Sequence, residues 1–355
     1  MNDQVAETAR RILSAHAGEI GQAIGEAGQV SEGAAAGWVP ALWAALEAAG
    51  LAHALVPEAA GGYGLAPEEA LSLTAIAGAH AAPVPLGETM VANRLLAMAG
   101  MAPATGPAGF GAGLSVRPVA GGLRVTGRLG RVPCGRHLAC IAALTTDGRL
   151  LRISGGWQVV IGRNIAAEPR DDLLFDLTLP AANAADAPVD GDGIVALGAL
   201  VRAHMIAGVL DAVLERTVAY VGDRVQFGRP IGRFQAIQQA LAVLAGEVAA
   251  ARAAAGMAAA CLGAGGTRPW TAAGAAKLRT GEAAGIVAGI AHQVHGAIGI
   301  TREYPLHPLT RRLWAWREEW GSESWWAERL GGVVAGLGPD GFWPFLTALS
   351  DGEAA

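Results

Sequence analysis

The stretch Arg224-Val-Gln-Phe-Gly-Arg-Pro-Ile-Gly-Arg-Phe-Gln235 stands between two long alanine-rich segments with helical spacing. Gly228, Pro230 and Gly232 interrupt that spacing, so the chain should turn here. Arginines, glutamines and phenylalanines surround the turn. An arginine is a planar, permanently charged group suited to phosphate oxygens, and a phenylalanine offers a flat face to a ring. This composition fits a dinucleotide site, and it fits equally a solvated polar turn between two helices.

The composition narrows the class of protein. The chain has 355 residues, of which 52% are hydrophobic and 16% are charged, which is enough for two or three domains with a large core. The net charge is −5 and the charges are mixed, so nothing indicates binding to nucleic acid. Because Lys277 is the only lysine, any P-loop or Schiff-base lysine would have to be this residue.

The cysteines and the apolar segments indicate a cellular compartment. Cys134, Cys140 and Cys261 are too scattered for a disulfide framework or a zinc site, so we expect buried thiols in a reducing environment. We expect no signal peptide, because no basic segment followed by an apolar run opens the sequence. The apolar stretches 239–263 and 281–300 contain charges and many small residues, which favours buried helices over membrane spans. The sequence therefore predicts a cytoplasmic protein without membrane association.

Three regions of the chain differ in their pattern. Residues 1–105 have helical spacing, and residues 106–191 have short strand patterns in which Asp147-Gly148 predicts a hairpin. Residues 192–355 return to helical spacing. The pattern predicts a helical domain, a small β-domain and a second helical domain, in that order.

Three segments in this order resemble the acyl-CoA dehydrogenase family. Val56-Pro-Glu-Ala-Ala-Gly-Gly-Tyr-Gly64 resembles part of its first helical domain. The stretch 224–238 and Gln293-Val-His-Gly-Ala-Ile-Gly-Ile-Thr-Arg-Glu-Tyr-Pro305 resemble its C-terminal domain. The resemblance implies an α+β protein, mostly α, with a β-barrel-like middle domain and a C-terminal four-helix bundle. It also implies that FAD lies between these last two domains.

The resemblance implies an FAD site that neighbouring subunits share. Arg224 would pair with the pyrophosphate of a neighbour's FAD, and Gln235 would meet its adenine end. A second turn, Gln293–Gly299, would bring its backbone close to the cofactor. The residues that the resemblance assigns to FAD are Arg224, Gln226, Phe227, Gln235, Gln293, Gly296 and Ser322.

His292 and His295 are three residues apart on one helical face and could be two metal ligands. No third ligand lies at a matching spacing, so a core or capping role is the favoured interpretation. The tryptophan-rich segment 314–326 is open to two interpretations, a substrate wall and core packing, of which packing is favoured.

The catalytic base is the difficult assignment. Desaturation of an acyl-CoA needs a carboxylate to take the α-proton while the β-hydride passes to the flavin. The resemblance places this glutamate at Trp320, or in some relatives at Gly198 or Ala199. Glu319 is the remaining candidate, although a shift of one residue turns a helical side chain by about 100°. The alternative interpretation of Glu319, a solvated helix carboxylate, is favoured.

The family's flavin-contacting loop has only a weak match, at Gly106–Ser115. This stretch lacks the expected carboxylate, although backbone N–H groups of a glycine-rich loop could take its place. The sequence has both cofactor turns but no glutamate at the positions matched to the base. Several functions therefore stay open.

The first function is an FAD-dependent acyl-CoA dehydrogenase that forms a homodimer or tetramer and passes electrons to an electron-transfer flavoprotein. The second is a non-catalytic, FAD-supporting subunit in a heterotetramer with a second dehydrogenase chain. The third is a flavin-free scaffold of the same fold, in which Arg224 would pair with a carboxylate.

Overall fold

The computed structural model describes residues 2–27, 37–263, 268–301 and 303–351. It divides into two compact units. The first comprises Met1–Leu73 and Ala82–Leu197, and the second comprises Thr74–Ala81 and Gly198–Ala355. The division into three domains at 1–105, 106–191 and 192–355 stays a prediction.

The first unit begins with helices that bury an apolar face. Trp43, Leu46 and Leu51 are all buried, as their spacing predicts. Pro40 starts the third helix, where its missing N–H has no partner to lose. The helices are α1 (Asn2–Ala15), α2 (Ala17–Ala27), α3 (Pro40–Ala48), α4 (Pro67–Ala79), whose last turns belong to the second unit, and α5 (Leu86–Met98).

A mixed sheet completes the first unit. Its strands are β1 (Ala108–Val119), β2 (Gly122–Pro133), β3 (Cys140–Thr145), β4 (Arg149–Ile153), β5 (Gln158–Val160), β6 (Arg170–Leu179) and β7 (Ala184–Asp186). They follow the order β5-β6-β2-β1-β3-β4-β7, with β1 and β3 parallel and the other pairs antiparallel. Asp147-Gly148 turns β3 into β4, which confirms the predicted hairpin. Leu114, Val125 and Phe175 belong to the core of this sheet.

The prediction of a loop at Gly106–Ser115 is wrong, because β1 begins at Ala108. Ala108–Ala112 pairs in parallel with β3. A side chain at Gly109 or Gly111 would meet the large neighbours Leu138 and Leu129. The glycines therefore make room for core side chains.

Long helices form the second unit. They are α6 (Gly191–Asp223), whose first turns belong to the first unit, α7 (Gln235–Ala260), α8 (Arg268–His295) and α10 (Glu323–Asp351), which is kinked at Gly338. The short α9 (His307–Trp316) lies between α8 and α10 in the chain, and α8 packs against α7, α9 and α10. The structure is mostly helical (62%) with a mixed sheet in the middle, which confirms the predicted fold class.

Three segments, 191–223, 235–263 and 268–300, are long and apolar enough to cross a membrane by length and composition. In the first, 89% of the most apolar window is buried inside the protein. In the second only 22% is buried, and Val243 and Met257 on α7 are exposed. The prediction of a buried helix is therefore wrong for the outer face of α7, because helical spacing does not show what covers a face.

Candidate functional site

The turn after α6 is a short hairpin with strands β8 (Val225–Gln226) and β9 (Arg229–Pro230). Its loop residues, Phe227 and Gly228, have φ angles of 51° and 79°. Two successive positive φ angles characterise a type I′ turn, which usually takes Asn-Gly. We call residues 224–230 the Arg224 hairpin. Its Phe227 is 91% exposed, so the ring does not contribute to the core of this chain.

The Arg224 hairpin is anchored at its base. The Arg224 N–H donates to the Tyr220 carbonyl at 2.9 Å, and the Ile231 N–H donates to the Arg224 carbonyl at 2.8 Å. The Arg229 guanidinium lies 4.2 Å from the centre of the Phe234 ring. The side chains of Arg224 and Gln226, and Gln235 at the start of α7, are exposed. The hairpin thus has a fixed root and an outward-facing set of donors.

The structure brings the two predicted cofactor turns together. The Tyr220 ring stacks on His295 with 4.3 Å between the ring centres, and its hydroxyl donates to the His295 carbonyl at 3.3 Å. Tyr220 lies four residues before Arg224, and His295 directly precedes Gly296. Gln293 and Gly296 are exposed, and Gly296 has a φ of 64°. The hairpin and the Gln293–Gly296 turn therefore share one end of the helical unit.

The two histidines are hydrogen-bonded within the helical unit. One ring nitrogen of His295 bonds to the Ala291 carbonyl at 2.8 Å and the other to the Tyr304 hydroxyl at 3.1 Å. His292 Nε2 bonds to the Thr310 hydroxyl at 2.8 Å. Burial lowers the pKa of His295 and so favours its neutral form. Within the described part of the chain, no group of three or more metal-binding side chains could hold a metal ion. Both rings are hydrogen-bonded to neighbouring residues, as a core role predicts. That neither histidine binds a metal stays a prediction.

The second candidate region is the turn between α9 and α10. We call residues 317–321 the Trp320 turn. Trp320 and Gly321 have φ angles of 59° and 94°. A positive φ is costly for a bulky residue, and it persists only where the surroundings fix it. The turn needs such anchors, and α8 and α10 supply them.

Three carbonyls of the Trp320 turn accept hydrogen bonds from buried groups. Lys277 Nζ donates to the carbonyls of Arg317 at 2.5 Å and Gly321 at 2.8 Å. The indole N–H of Trp326 donates to the Trp320 carbonyl at 3.0 Å. Hydrogen bonds from Lys277 and Trp326 therefore hold the backbone on both sides of Trp320 and at Trp320 itself.

The Trp320 indole lies directly on Gly198 of α6. A Cβ atom at Gly198 would overlap the ring at Cδ2, Cε2 and Cε3, so only glycine permits this contact. These two residues are the positions that the family resemblance matches to alternative catalytic glutamates. Since both glutamates would have to reach the same substrate proton, their positions should lie close together, and in the structure they touch. Neither position carries a carboxylate.

Glu319 is held in an ion pair. Its Oε2 accepts from Arg202 Nε at 2.6 Å, and the side chains of Glu319 and Arg202 are 8% and 1% exposed. The interpretation of Glu319 as a solvated carboxylate is wrong, because Arg202 lies one turn along α6 from Gly198 and meets the Trp320 turn. A guanidinium partner favours the ionised form of a carboxylate and makes it a poorer proton acceptor. Glu319 as the catalytic base stays a prediction.

Ser322 caps α10. Its hydroxyl accepts from the Trp325 N–H at 3.4 Å and contacts the Ser324 hydroxyl at 3.1 Å. Capping satisfies a helix N–H that otherwise lacks a partner, which is sufficient reason for a serine here. Its assignment to the cofactor stays a prediction.

The tryptophan-rich segment divides between core and surface. Trp316 and Trp326 are fully buried, and Trp326 packs on Trp270 with 5.1 Å between ring centres. Trp325 meets Trp326 edge to face, whereas Trp314 is 43% exposed. The packing interpretation is confirmed for Trp316 and Trp326.

Lys277 has a role that the sequence did not reveal. It is fully buried in α8, and this burial lowers its pKa to about 8. The charges of Glu323 and Glu319 act in the opposite direction and favour the ammonium form. Glu323 also accepts from Arg317 Nε at 2.9 Å. The only signal in the sequence is a single lysine in a helix otherwise rich in alanine and glycine.

Comparison with known proteins decides the family. The model of the acyl-CoA dehydrogenase C-terminal domain matches residues 194–323. The acyl-CoA dehydrogenase FadE34 of Mycobacterium tuberculosis is 31% identical over 322 residues, which cover 87% of this chain and 45% of that protein. The chain belongs to the acyl-CoA dehydrogenase family. The acryloyl-CoA reductase (NADH) of Anaerotignum propionicum is 36% identical over 155 residues, which cover 41% of this chain and 38% of that protein.

Solved structures share the fold. A variant of the Tcur3481–Tcur3483 steroid ACAD has a TM-score of 0.80 and 27% identity, covering 94% of this chain and 98% of that chain. The ChsE4–ChsE5 complex of Mycobacterium tuberculosis has a TM-score of 0.80 and 22% identity, covering 94% and 97%. This chain spans less than half the length of the curated relatives named above. The two positions that the resemblance matches to a catalytic glutamate carry a tryptophan and a glycine in this chain.

Proposed function

We propose that this chain is a non-catalytic, FAD-supporting subunit of a heteromeric acyl-CoA dehydrogenase. In such an assembly a second dehydrogenase chain would desaturate the acyl-CoA and pass electrons to an electron-transfer flavoprotein. The observation that carries the proposal is the contact of the Trp320 indole with Gly198, because a ring now stands at both positions where a base would be placed.

The Arg224 hairpin supports a role in holding FAD. When bound, FAD supplies the acceptor for the substrate hydride. Arg224 would pair with the pyrophosphate, and the amides of Gln226 and Gln235 would meet polar edges of the cofactor. The scaffold alternative predicts a carboxylate partner for Arg224, and the described residues form no ion pair with it. The exposed side chain of Arg224 suits a cofactor that is held mainly by another chain.

The surface of α7 supports assembly with another chain. Only 22% of its most apolar window is buried within this chain, although burial of apolar surface is the main force in association. The similar Tcur3481–Tcur3483 steroid ACAD carries a name that joins two proteins. A partner that covers α7 would place the hairpin next to a second subunit.

The second candidate function is an acyl-CoA dehydrogenase with catalysis in this chain and Glu319 as base. The similarity to the acyl-CoA dehydrogenase FadE34 favours it. The ion pair of Glu319 with Arg202 opposes it, because the base would have to leave that partner to reach a substrate. We therefore place it second.

The test is the flavin content of the purified chain, alone and co-expressed with a second dehydrogenase chain. The proposal predicts a colourless protein alone and a yellow assembly on co-expression. Arg224→Gln should lower the flavin content of the assembly, whereas Arg10→Gln, which changes an exposed arginine on α1, should not. One flavin per chain in the protein alone, together with oxidation of an acyl-CoA, would contradict the proposal.

A further inference from the structure

The Trp320 turn is more elaborately held than a connection between two helices requires. Lys277 bonds to carbonyls before and after Trp320, and Trp326 bonds to the Trp320 carbonyl itself. Lys277 and Trp326 are both fully buried. A loop that only joined α9 to α10 could satisfy these carbonyls with water. The structure instead fixes one tryptophan in a left-handed conformation.

A lysine is unfavourable at a core position such as that of Lys277. A buried ammonium loses hydration worth several kcal/mol, and an apolar side chain of similar volume would pack there without that cost. The two carbonyls and the carboxylates of Glu319 and Glu323 offset part of the loss. Since stability alone does not favour a lysine here, its ammonium has a positioning task. Its direct contacts identify the task as the conformation of the Trp320 turn.

This conformation fixes the position of the Trp320 indole ring. The indole lies against the bare backbone of Gly198, and the buried pair of Arg202 and Glu319 lies one helical turn farther along α6. Trp320 itself has intermediate exposure, unlike the fully buried Trp316. The ring therefore closes a notch at the surface of α6 rather than filling the interior of the unit.

We infer that the Trp320 indole occupies the place of the acyl group in this chain, and that Lys277 is the positioning residue that seats it. The inference rests on the proposed function, from which it takes positions 198 and 320 as neighbours of the reacting carbons. It goes further, because loss of a base would leave a site that still binds substrate. Here an acyl-CoA thioester is excluded by volume.

The first experiment removes the Trp320 ring from the notch beside Gly198. Trp320→Ala leaves an open notch of the size of the indole ring beside Gly198, and space left by the truncation of a large apolar side chain can bind a small aromatic molecule. Indole should bind this variant, measured by calorimetry and by a saturable rise in melting temperature, and should not bind the wild type. Trp343→Ala is the matched control, since Trp343 is 67% exposed and its truncation leaves no cavity. Equal binding of indole to wild type and Trp320→Ala would overturn the inference.

The second experiment uses dodecanoyl-CoA as the probe, with the full chain in the presence of added FAD. Trp320→Ala should bind it at least about tenfold more tightly than the wild type, a difference of about 1.4 kcal/mol. Neither protein should reduce the flavin, because no base has been added. Equal affinity of the two proteins, or no binding to either, would overturn the inference.

Flavin reduction separates this inference from the proposed function. If the wild type binds the thioester without reducing flavin, the inference fails and the non-catalytic function stands. If the wild type oxidises the thioester, both fail.

Lys277→Met tests the positioning role. Methionine fills the volume without donating to the carbonyls, so Trp320 should lose its fixed seat while remaining in the chain. This variant should gain affinity for dodecanoyl-CoA. Val287→Ala, a truncation of another fully buried α8 residue, should lower stability without that gain. Wild-type affinity in Lys277→Met would show that Lys277 does not seat the ring.

Discussion

The Arg224 hairpin and the Trp320 turn use the same local backbone in opposite surroundings. Each places an aromatic residue before a glycine with both φ angles positive, at 51° and 79° for Phe227-Gly228 and at 59° and 94° for Trp320-Gly321. Phe227 is 91% exposed, whereas the Trp320 ring lies on Gly198. One conformation thus presents a side chain outward, and the other closes the surface of its own chain.

The two turns therefore differ in what their interactions hold in place. The hairpin is fixed to the rest of the chain at its root, through Arg224 and Ile231, and its tip is exposed, so changes at its tip should affect binding to other molecules. The Trp320 turn is bonded by Lys277 and Trp326, so changes there should affect the stability of the chain itself.

The largest expected effect is at the buried ion pair beside the Trp320 turn. Arg202→Met leaves the Glu319 carboxylate buried without its guanidinium and should lower the free energy of unfolding by about 3–5 kcal/mol, measured with urea. The double variant Arg202→Met with Glu319→Gln should recover much of the loss, because the unpaired charge is gone. A loss below about 1 kcal/mol in the single variant would show that this turn is no more tightly held than the hairpin.

The next effect is a pH dependence from Lys277. Its pKa in the folded chain is lowered by burial from 10.5 to about 8, so above about pH 8 the folded chain has released a proton that the unfolded chain keeps. The free energy of unfolding should therefore rise by about 2 kcal/mol between about pH 8 and about pH 10. The gain is absent well below pH 8, where both states are protonated.

Lys277→Met should remove this rise, so the measurement is the difference between wild type and variant. Burial raises the pKa of the Cys134 thiol to about 12, which gives an opposite slope in the same range. That slope is common to both proteins and cancels in the difference. Identical pH profiles of the two proteins would contradict the buried ammonium.

A smaller effect is expected at the hairpin. Arg224→Gln should weaken FAD retention by the co-expressed assembly about tenfold, because a charge-assisted bond to phosphate is worth about 1.5–3 kcal/mol. The free energy of unfolding of the chain alone should change by less than about 0.5 kcal/mol, since the side chain is exposed. Flavin content after gel filtration measures the first quantity, and urea unfolding measures the second. A large loss of stability would place the hairpin in the same class as the Trp320 turn.

A matched pair of substitutions includes the smallest expected change, which is at Phe227. Asparagine tolerates positive φ better than an aromatic residue, so Phe227→Asn should change stability by less than about 0.5 kcal/mol. Trp320→Asn has the same backbone preference but loses the packing on Gly198, and it should cost more than about 2 kcal/mol. Thermal or urea unfolding of both variants compares the two turns directly. Similar losses at both positions would mean that backbone strain, rather than surroundings, governs them.

The features that the sequence predicts are local. Gly228 and Pro230 mark the hairpin, and Asp147-Gly148 marks the β3–β4 turn, because each depends on a backbone conformation that few residues favour. The strand region follows from alternation in the same way. The family resemblance then locates Gly198 and Trp320 as base positions.

The features that the sequence misses are distant pairs and partner surfaces. Glu319 is paired with a residue 117 positions away, and Lys277 bonds to a carbonyl 40 positions away. Spacing along one helix carries no information on such partners. The exposed apolar face of α7 was predicted as core because periodicity identifies an apolar face and not the surface that covers it.

The most direct test of the account is thioester-dependent flavin reduction by the purified chain alone, supplied with FAD and a panel of acyl-CoA thioesters under anaerobic conditions. No reduction is expected, because Trp320 and Gly198 stand where the base and the substrate would meet. Reduction should occur only when a second dehydrogenase chain is co-expressed. Full reduction by the chain alone, abolished by Glu319→Gln, would contradict the account and assign catalysis to Glu319.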